Sequence, residues 1–170
     1  MTAGDRSMNQ SNRKTGGTEP VSAQELFPVI KELLAEGRQA AFTVTGMSMW
    51  PLLCHGRDQV VLEACDPGQL AVGDILLFRA PPGNYLLHRV TALRPGQFQA
   101  TGDGNFFRDG WFSNSCVQGR VVRLIREGKH IDCGGGTYRA ACRVWMHLFP
   151  VRKWLFAGWF RIRKYVRPSA

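Results

Sequence analysis

Short β-forming runs separated by tight turns are the feature of this sequence that most restricts its fold. Six such runs follow one another along the chain: Ala41–Thr45, Gln59–Ala64, Ile75–Arg79, Leu86–Leu93, Gln97–Thr101 and Gln118–Arg126. Gly, Pro and Asp separate them at short intervals, as in Asp66-Pro67-Gly68 and Arg94-Pro95-Gly96. Evenly spaced short strands with such turns predict a mainly β fold with a compact, partly closed sheet.

Helical patterns flank this β region on both sides. The first, over 22–36, has one apolar face formed by Leu26, Ile30, Leu33 and Leu34. Pro28 fits poorly inside this helix and favours a later start. From about Tyr138 the sequence is basic and aromatic, and Pro150 is expected to interrupt it, which leaves 151–166 as an amphipathic helical segment.

These patterns divide the 170 residues into three parts. Residues 1–20 are rich in Ser, Thr, Asn and Gly and predict a disordered tail. They include no apolar core of a signal peptide, so neither a signal peptide nor an N-terminal membrane anchor is expected. Residues 21–132 form the predicted β domain, and residues 138–170 form the basic aromatic helical segment.

The formal net charge is +9, which suits nucleic acid, an anionic membrane or an acidic substrate without choosing among them. The five cysteines are an odd number and include no C-x-x-C pair. A disulfide framework and a zinc site are therefore not expected, and reduced thiols in a cytoplasmic compartment fit better.

Ser48 is a candidate nucleophile because it lies in a turn just after a β run, between Gly46 and Pro51. A tight turn can present the hydroxyl while its main-chain N–H groups point at a developing oxyanion. The alternative is a turn serine that bonds its own main chain, which is the more common role of a serine in a turn.

A base and an acid would complete such a site. His88 lies among leucines and valine in a strand-like run, where it could act as the base or be a buried structural histidine. Asp103 and Asp109 lie in the following Gly-rich stretch, and either could hold the imidazole. Each could equally be an ordinary turn or solvated loop residue.

The order of these residues resembles the LexA and signal-peptidase superfamily. Its G-x-S-M box is matched from Gly46 to Met49, with Pro51 as in signal peptidases. The later boxes follow in the family's order across residues 40–126: Gly73-Asp74-Ile75, His88-Arg89-Val90, Gly102-Asp103-Gly104-Asn105 and Gly119-Arg120-Val121. The resemblance implies the partly closed β fold and a serine peptidase without cofactor or metal.

Histidine in the H-R-V box makes the chain similar to the Ser–His type of endoplasmic-reticulum and archaeal signal peptidases, since related enzymes have lysine there. The resemblance implies Ser48 as nucleophile, His88 as general base and Asp109 as the orienting acid, with Asp103 as the second choice. The amides of Met47 and Ser48 are the expected oxyanion donors. Gly46 stands where many signal peptidases have a hydroxyl residue.

The implied activity is a serine endopeptidase that cleaves a peptide precursor or leader, so the expected partner is a peptide or protein substrate. A catalytically silent domain that binds peptides or partners is the alternative. Residues 143–166 suit peripheral contact with an anionic membrane or packing on the domain, so the expected location is membrane-peripheral or cytoplasmic. Nucleic acid is not expected, because about 40 residues before Ser48 leave no room for a helix-turn-helix domain.

Overall fold

The computed structural model describes residues 23–166, and they form a mainly β fold, as the sequence predicts. Eight strands build one sheet: β1 Ala40–Thr43, β2 Asp58–Glu63, β3 Ile75–Ala80, β4 Asn84–Arg94, β5 Gln97–Thr101, β6 Gly110–Ser113, β7 Val117–Arg126 and β8 Lys129–Asp132. Three α-helices accompany them: α1 Ala23–Ala35, α2 Gly136–His147 and α3 Arg152–Val166. The predicted tail over 1–20 lies outside the described residues.

The sheet is antiparallel at every described pairing and curls into a half-barrel. Its strand order is β1-β2-β7-β3-β4-β5-β6, and β8 pairs with the C-terminal half of β7. Strands β7 and β3 therefore lie near the middle of the sheet. The chain segments that follow β1 and β5 contact each other, because the N–H of Gly104 bonds the oxygen of Ser48.

Both faces of the sheet are covered, and β3 shows how. Successive side chains of a strand point to opposite faces. Ile75 and Leu77 join the cluster that packs under α1, whereas Leu76 and Phe78 join a second cluster on the other face. A strand that is buried on both sides has a continuous apolar sequence, as Ile-Leu-Leu-Phe does here.

Helix α1 begins at Ala23 and contains Pro28, so the predicted later start is wrong. Proline removes one main-chain hydrogen bond from a helix. The apolar face offsets that loss, because Ile30 and Leu34 are only 2% and 3% exposed and pack against the sheet. Burying a side chain of that size contributes about 1.5–3 kcal/mol, which exceeds the net value of one hydrogen bond.

The six predicted strands are all present, with ends within two residues of those expected. Strands β6 and β8 were not predicted. Each has only four residues and carries exposed polar side chains, so neither shows a clear apolar alternation.

The C-terminal segment is helical and broken near Pro150, as predicted, by a 3-10 turn over Phe149–Val151. It contains a further helix, α2, which begins at Gly136. None of the helices between residues 23 and 166 combines the length and apolar character that crossing a bilayer requires.

Candidate active site

Ser48 lies in the turn that leaves β1, between exposed Met47 and buried Met49. Gly46 adopts a φ of +86°, a backbone conformation that residues other than glycine rarely adopt. Its N–H donates to Nδ1 of His55 at 3.0 Å. The backbone conformation of Gly46 and its hydrogen bond to His55 therefore set the direction in which the chain enters the Ser48 turn.

Asp58 anchors the other end of this loop and is fully buried. Its carboxylate accepts hydrogen bonds from the Cys54 N–H at 2.8 Å and from the guanidinium groups of Arg57 and Arg126 at 2.8–3.0 Å. Burial alone would raise the pKa of Asp58, but the hydrogen bonds from Arg57 and Arg126 hold it well below its ordinary value. Hydrogen bonds to the buried carboxylate of Asp58 thus hold the end of the loop that carries Ser48.

The Gly102–Gly104 loop packs directly on the Ser48 turn. A Cβ atom at residue 102 would overlap the main-chain oxygen of Ser48, and one at residue 104 would lie 2.9 Å from the oxygens of Met47 and Trp50. The N–H of Gly104 donates to the oxygen of Ser48 at 2.7 Å. Both glycines are required because two stretches of main chain meet here without room for side chains.

His88 lies on β4 and is 5% exposed. Arg89, the next residue, is the register partner of Thr101 on β5. Continuing that antiparallel register by one step brings Gly102 opposite His88. Since the oxygen of Ser48 lies against Gly102, the strand that carries the imidazole and the turn that carries Ser48 adjoin the same glycine.

Asp109 is the acid that contacts the imidazole. Its Oδ2 is hydrogen-bonded to Nδ1 of His88, and the side chains of Asp109 and His88 are 11% and 6% exposed. The N–H of Asp109 donates to the oxygen of Ala100 at 3.1 Å, just before β6 begins. A carboxylate only accepts hydrogen bonds, so Nδ1 carries the proton and Nε2 is left free to take one.

Asp103 has a different partner. Its carboxylate accepts hydrogen bonds from Nε and Nη2 of Arg89 at 2.9 and 2.7 Å, and both side chains are 1% exposed. Burial would lower the pKa of Arg89, but the charge of Asp103 beside it raises that pKa above its ordinary value. Of the two acids that the sequence left open, the structure brings Asp109 and not Asp103 to His88.

The main-chain amides of Met47 and Ser48 make no hydrogen bond with any residue in the described range 23–166. They are donors without acceptors, as an oxyanion site requires. Within that same range the Ser48 hydroxyl also makes no hydrogen bond. Bonds between nucleophile and base are often long without substrate and shorten when it binds.

Sequence reasoning missed His55, Asp58 and Arg89 as supports of the site. Arg89 had a signal, because a cation that alternates with apolar residues on a strand must reach a buried partner. His55 and Asp58 had none, because their roles depend on how the loop closes on itself.

Comparison with models of known protein families and with curated proteins found no match for this chain.

Proposed function

We propose that this protein is a serine endopeptidase of the Ser–His type, resembling the LexA and signal-peptidase superfamily, and that it cleaves a peptide precursor or leader. The observation that carries the proposal is the buried pairing of His88 with Asp109 next to the turn that presents Ser48. A serine hydroxyl needs a neighbouring base to become a nucleophile, and an oriented, buried histidine is the commonest one.

The proposed reaction uses side chains, main-chain amides and one water molecule. Nε2 of His88 takes the proton of the Ser48 hydroxyl as its oxygen attacks the peptide carbonyl. Asp109 holds the imidazole and stabilises its cation, and the amides of Met47 and Ser48 bind the oxyanion. His88 then gives the proton to the leaving amine, and a water molecule activated by the same base hydrolyses the acyl-enzyme.

The positions of the sequence boxes support the same proposal. The G-x-S-M box touches the Gly-Asp-Gly-Asn box through Gly104 and Ser48, and Arg89 of the H-R-V box binds Asp103. Residues from three boxes, spread from Ser48 to Gly104 along the chain, therefore lie around one site. A peptidase site would explain why these boxes occur together in this order.

Ser48→Ala and His88→Ala test the proposal, with His130→Ala as the matched control because His130 is an exposed histidine on β8. The wild type and the control should cleave peptides with small residues before the scissile bond and react with a serine-directed probe. Both site variants should lose cleavage, and Ser48→Ala should lose labelling. Full turnover by either site variant would refute the proposal. Peptide binding without turnover by the wild type would instead favour the catalytically silent domain.

We also propose that the protein acts at the surface of an anionic membrane. No Asp or Glu follows Asp132, and eight of the 22 Lys and Arg residues do: Arg139, Arg143, Arg152, Lys153, Arg161, Arg163, Lys164 and Arg167. On α3, Trp154 and Trp159 are 76% and 51% exposed, beside exposed Lys153 and Arg161. Exposed tryptophans flanked by cations suit the interface of anionic lipids.

A further inference from the structure

One peptide group links the C-terminal helices to the Ser48 turn. It joins Asp103 to Gly104, and its N–H donates to the oxygen of Ser48 at 2.7 Å. Its oxygen accepts two hydrogen bonds, one from Nε1 of Trp145 on α2 and one from Nη1 of Arg152 on α3, each at 3.2 Å. The same peptide group is therefore held on one side by helices and holds the nucleophile turn on the other.

Arg152 is an unusual donor because it is only 2% exposed. Its guanidinium forms no salt bridge within the described residues 23–166, and Nη2 donates to the oxygen of Trp145 at 2.9 Å. The group lies 4.7 Å from the ring centre of Trp145 and 5.2 Å from that of Phe149. Burying a cation without a carboxylate of its own is costly, and the two main-chain oxygens and two aromatic rings around Arg152 offset part of that cost.

Hydrogen bonds that run through a peptide group strengthen one another. Donation from a cation to the oxygen polarises the group and makes its N–H a better donor. Arg152 and Trp145 therefore strengthen the bond from Gly104 to Ser48 besides fixing where that peptide lies.

The aromatic face of α3 supports the turn at a second point. Phe156 is 5% exposed, and its ring centre lies 4.9 Å from that of Trp50, which is two residues after Ser48. Phe156 also contacts Phe106 of the loop that follows Gly104, at 5.5 Å between ring centres. The inward face of α3 thus packs on both halves of the candidate site, while Trp154 faces solvent.

We propose that Trp145 and Arg152 are positioning residues of the Ser48 site, acting through the peptide group between Asp103 and Gly104. This inference rests on the proposed peptidase function. The C-terminal segment would then have two roles. Its buried face orients the Ser48 turn, and its exposed face carries Trp154 and Lys153, which suit contact with lipid.

The experiment compares Trp145→Phe, which keeps an aromatic ring but removes the N–H donor, with Arg152→Lys, which keeps the charge with fewer donors. Lys129→Gln is the matched control, because it removes an exposed charge on β8, away from this contact. Turnover of a soluble peptide without lipid and hydrogen exchange at the Gly104 amide are measured in each full-length protein. For Trp145→Phe we expect kcat to fall roughly tenfold with KM unchanged, and Gly104 to exchange roughly tenfold faster. Arg152→Lys should show smaller changes of the same kind, and Lys129→Gln should show none.

Unchanged exchange at Gly104 in both variants would overturn the inference, and so would unchanged kcat in both. A wild-type protein that neither cleaves peptides nor reacts with the serine probe would refute the peptidase proposal instead. The exchange measurement needs no activity, so it separates the two failures. If Arg152→Lys fails to fold, Trp145→Phe decides the test, because it keeps an aromatic side chain at that position.

Discussion

Gly102 and Ser48 approach each other so closely that residue 102 has no room for a side chain. A Cβ atom there would overlap the Ser48 oxygen and lie 2.9 Å from Nδ2 of Asn105. One of these neighbours is main chain in a tightly held turn, so it cannot move aside without moving Ser48. The candidate site therefore requires glycine at position 102, because a larger residue there would displace Ser48.

Gly102→Ala is expected to lower peptidase activity at least tenfold, since small displacements of reacting groups cost that much or more. The overlap should also lower the free energy of unfolding by about 1–3 kcal/mol. Gly158→Ala is the control, because its Cβ would meet nothing within 4 Å. Peptide turnover and chemical denaturation check both effects, and wild-type turnover by Gly102→Ala would contradict the close approach.

Asp109→Asn should abolish most of the activity while leaving the fold in place. The asparagine amide carries no charge, and its NH2 group can donate to Nδ1, so His88 can adopt the wrong tautomer and its cation loses its stabilisation. We expect kcat to fall by roughly 10²–10⁴-fold. Single-turnover kinetics and thermal unfolding of the variant would measure this, and a loss below threefold would remove Asp109 from the site.

Asp103→Asn should affect stability more than Asp109→Asn does. It would leave Arg89, which is 1% exposed, without its carboxylate in the interior. Breaking one side of a buried ion pair costs about 3–5 kcal/mol. Urea unfolding of the two asparagine variants side by side distinguishes the roles, and equal stabilities would contradict the assignment.

Acid should destabilise the protein partly through Asp58. Because its pKa is lower in the folded protein than the ordinary value of 3.8, the folded state binds the proton less readily than the unfolded chain. The stabilisation is therefore complete above that ordinary value and is lost as the pH falls below it. We expect the free energy of unfolding to decrease from about pH 5 towards about pH 2.

Asp58→Asn should flatten this acid dependence and lower the stability at neutral pH by about 1–3 kcal/mol, because the Cys54 amide and two guanidinium groups lose a charged acceptor with two oxygens. Asp66→Asn, at an exposed position, is the matched control. Urea unfolding across the pH range measures both variants, and a slope as steep as that of the wild type would show that other carboxyls dominate.

Trp154→Ser should weaken binding to vesicles of anionic lipid without changing turnover of a soluble peptide. The side chain is 76% exposed and makes no ring contact within the described residues 23–166. Trp111→Ser on β6 is the control, since Trp111 is 37% exposed and packs under Arg94. Co-sedimentation with vesicles at low and high salt measures the effect. Equal sedimentation of both variants and the wild type would remove α3 from the membrane contact.

The strand pattern was readable from the sequence because it is local. Gly, Pro and Asp at the turns and alternation along the strands predicted six strands and the break at Pro150. Strand β6 was not predicted, because its four residues show no alternation of apolar and polar side chains. The residue just before this strand, Asp109, nevertheless pairs with His88. Helix α1 also runs through Pro28, since packing on the sheet outweighs one lost hydrogen bond.

By itself the sequence determined the mainly β fold and a short set of candidate residues, because residue type, spacing and turn chemistry act over a few positions. Only the tertiary structure decided how those residues combine. It paired Asp109 with His88 and Asp103 with Arg89, and it placed Arg152 behind the peptide of Gly104. Such choices depend on sheet register and on which buried charges find partners, and contacts between residues far apart in the chain fix both.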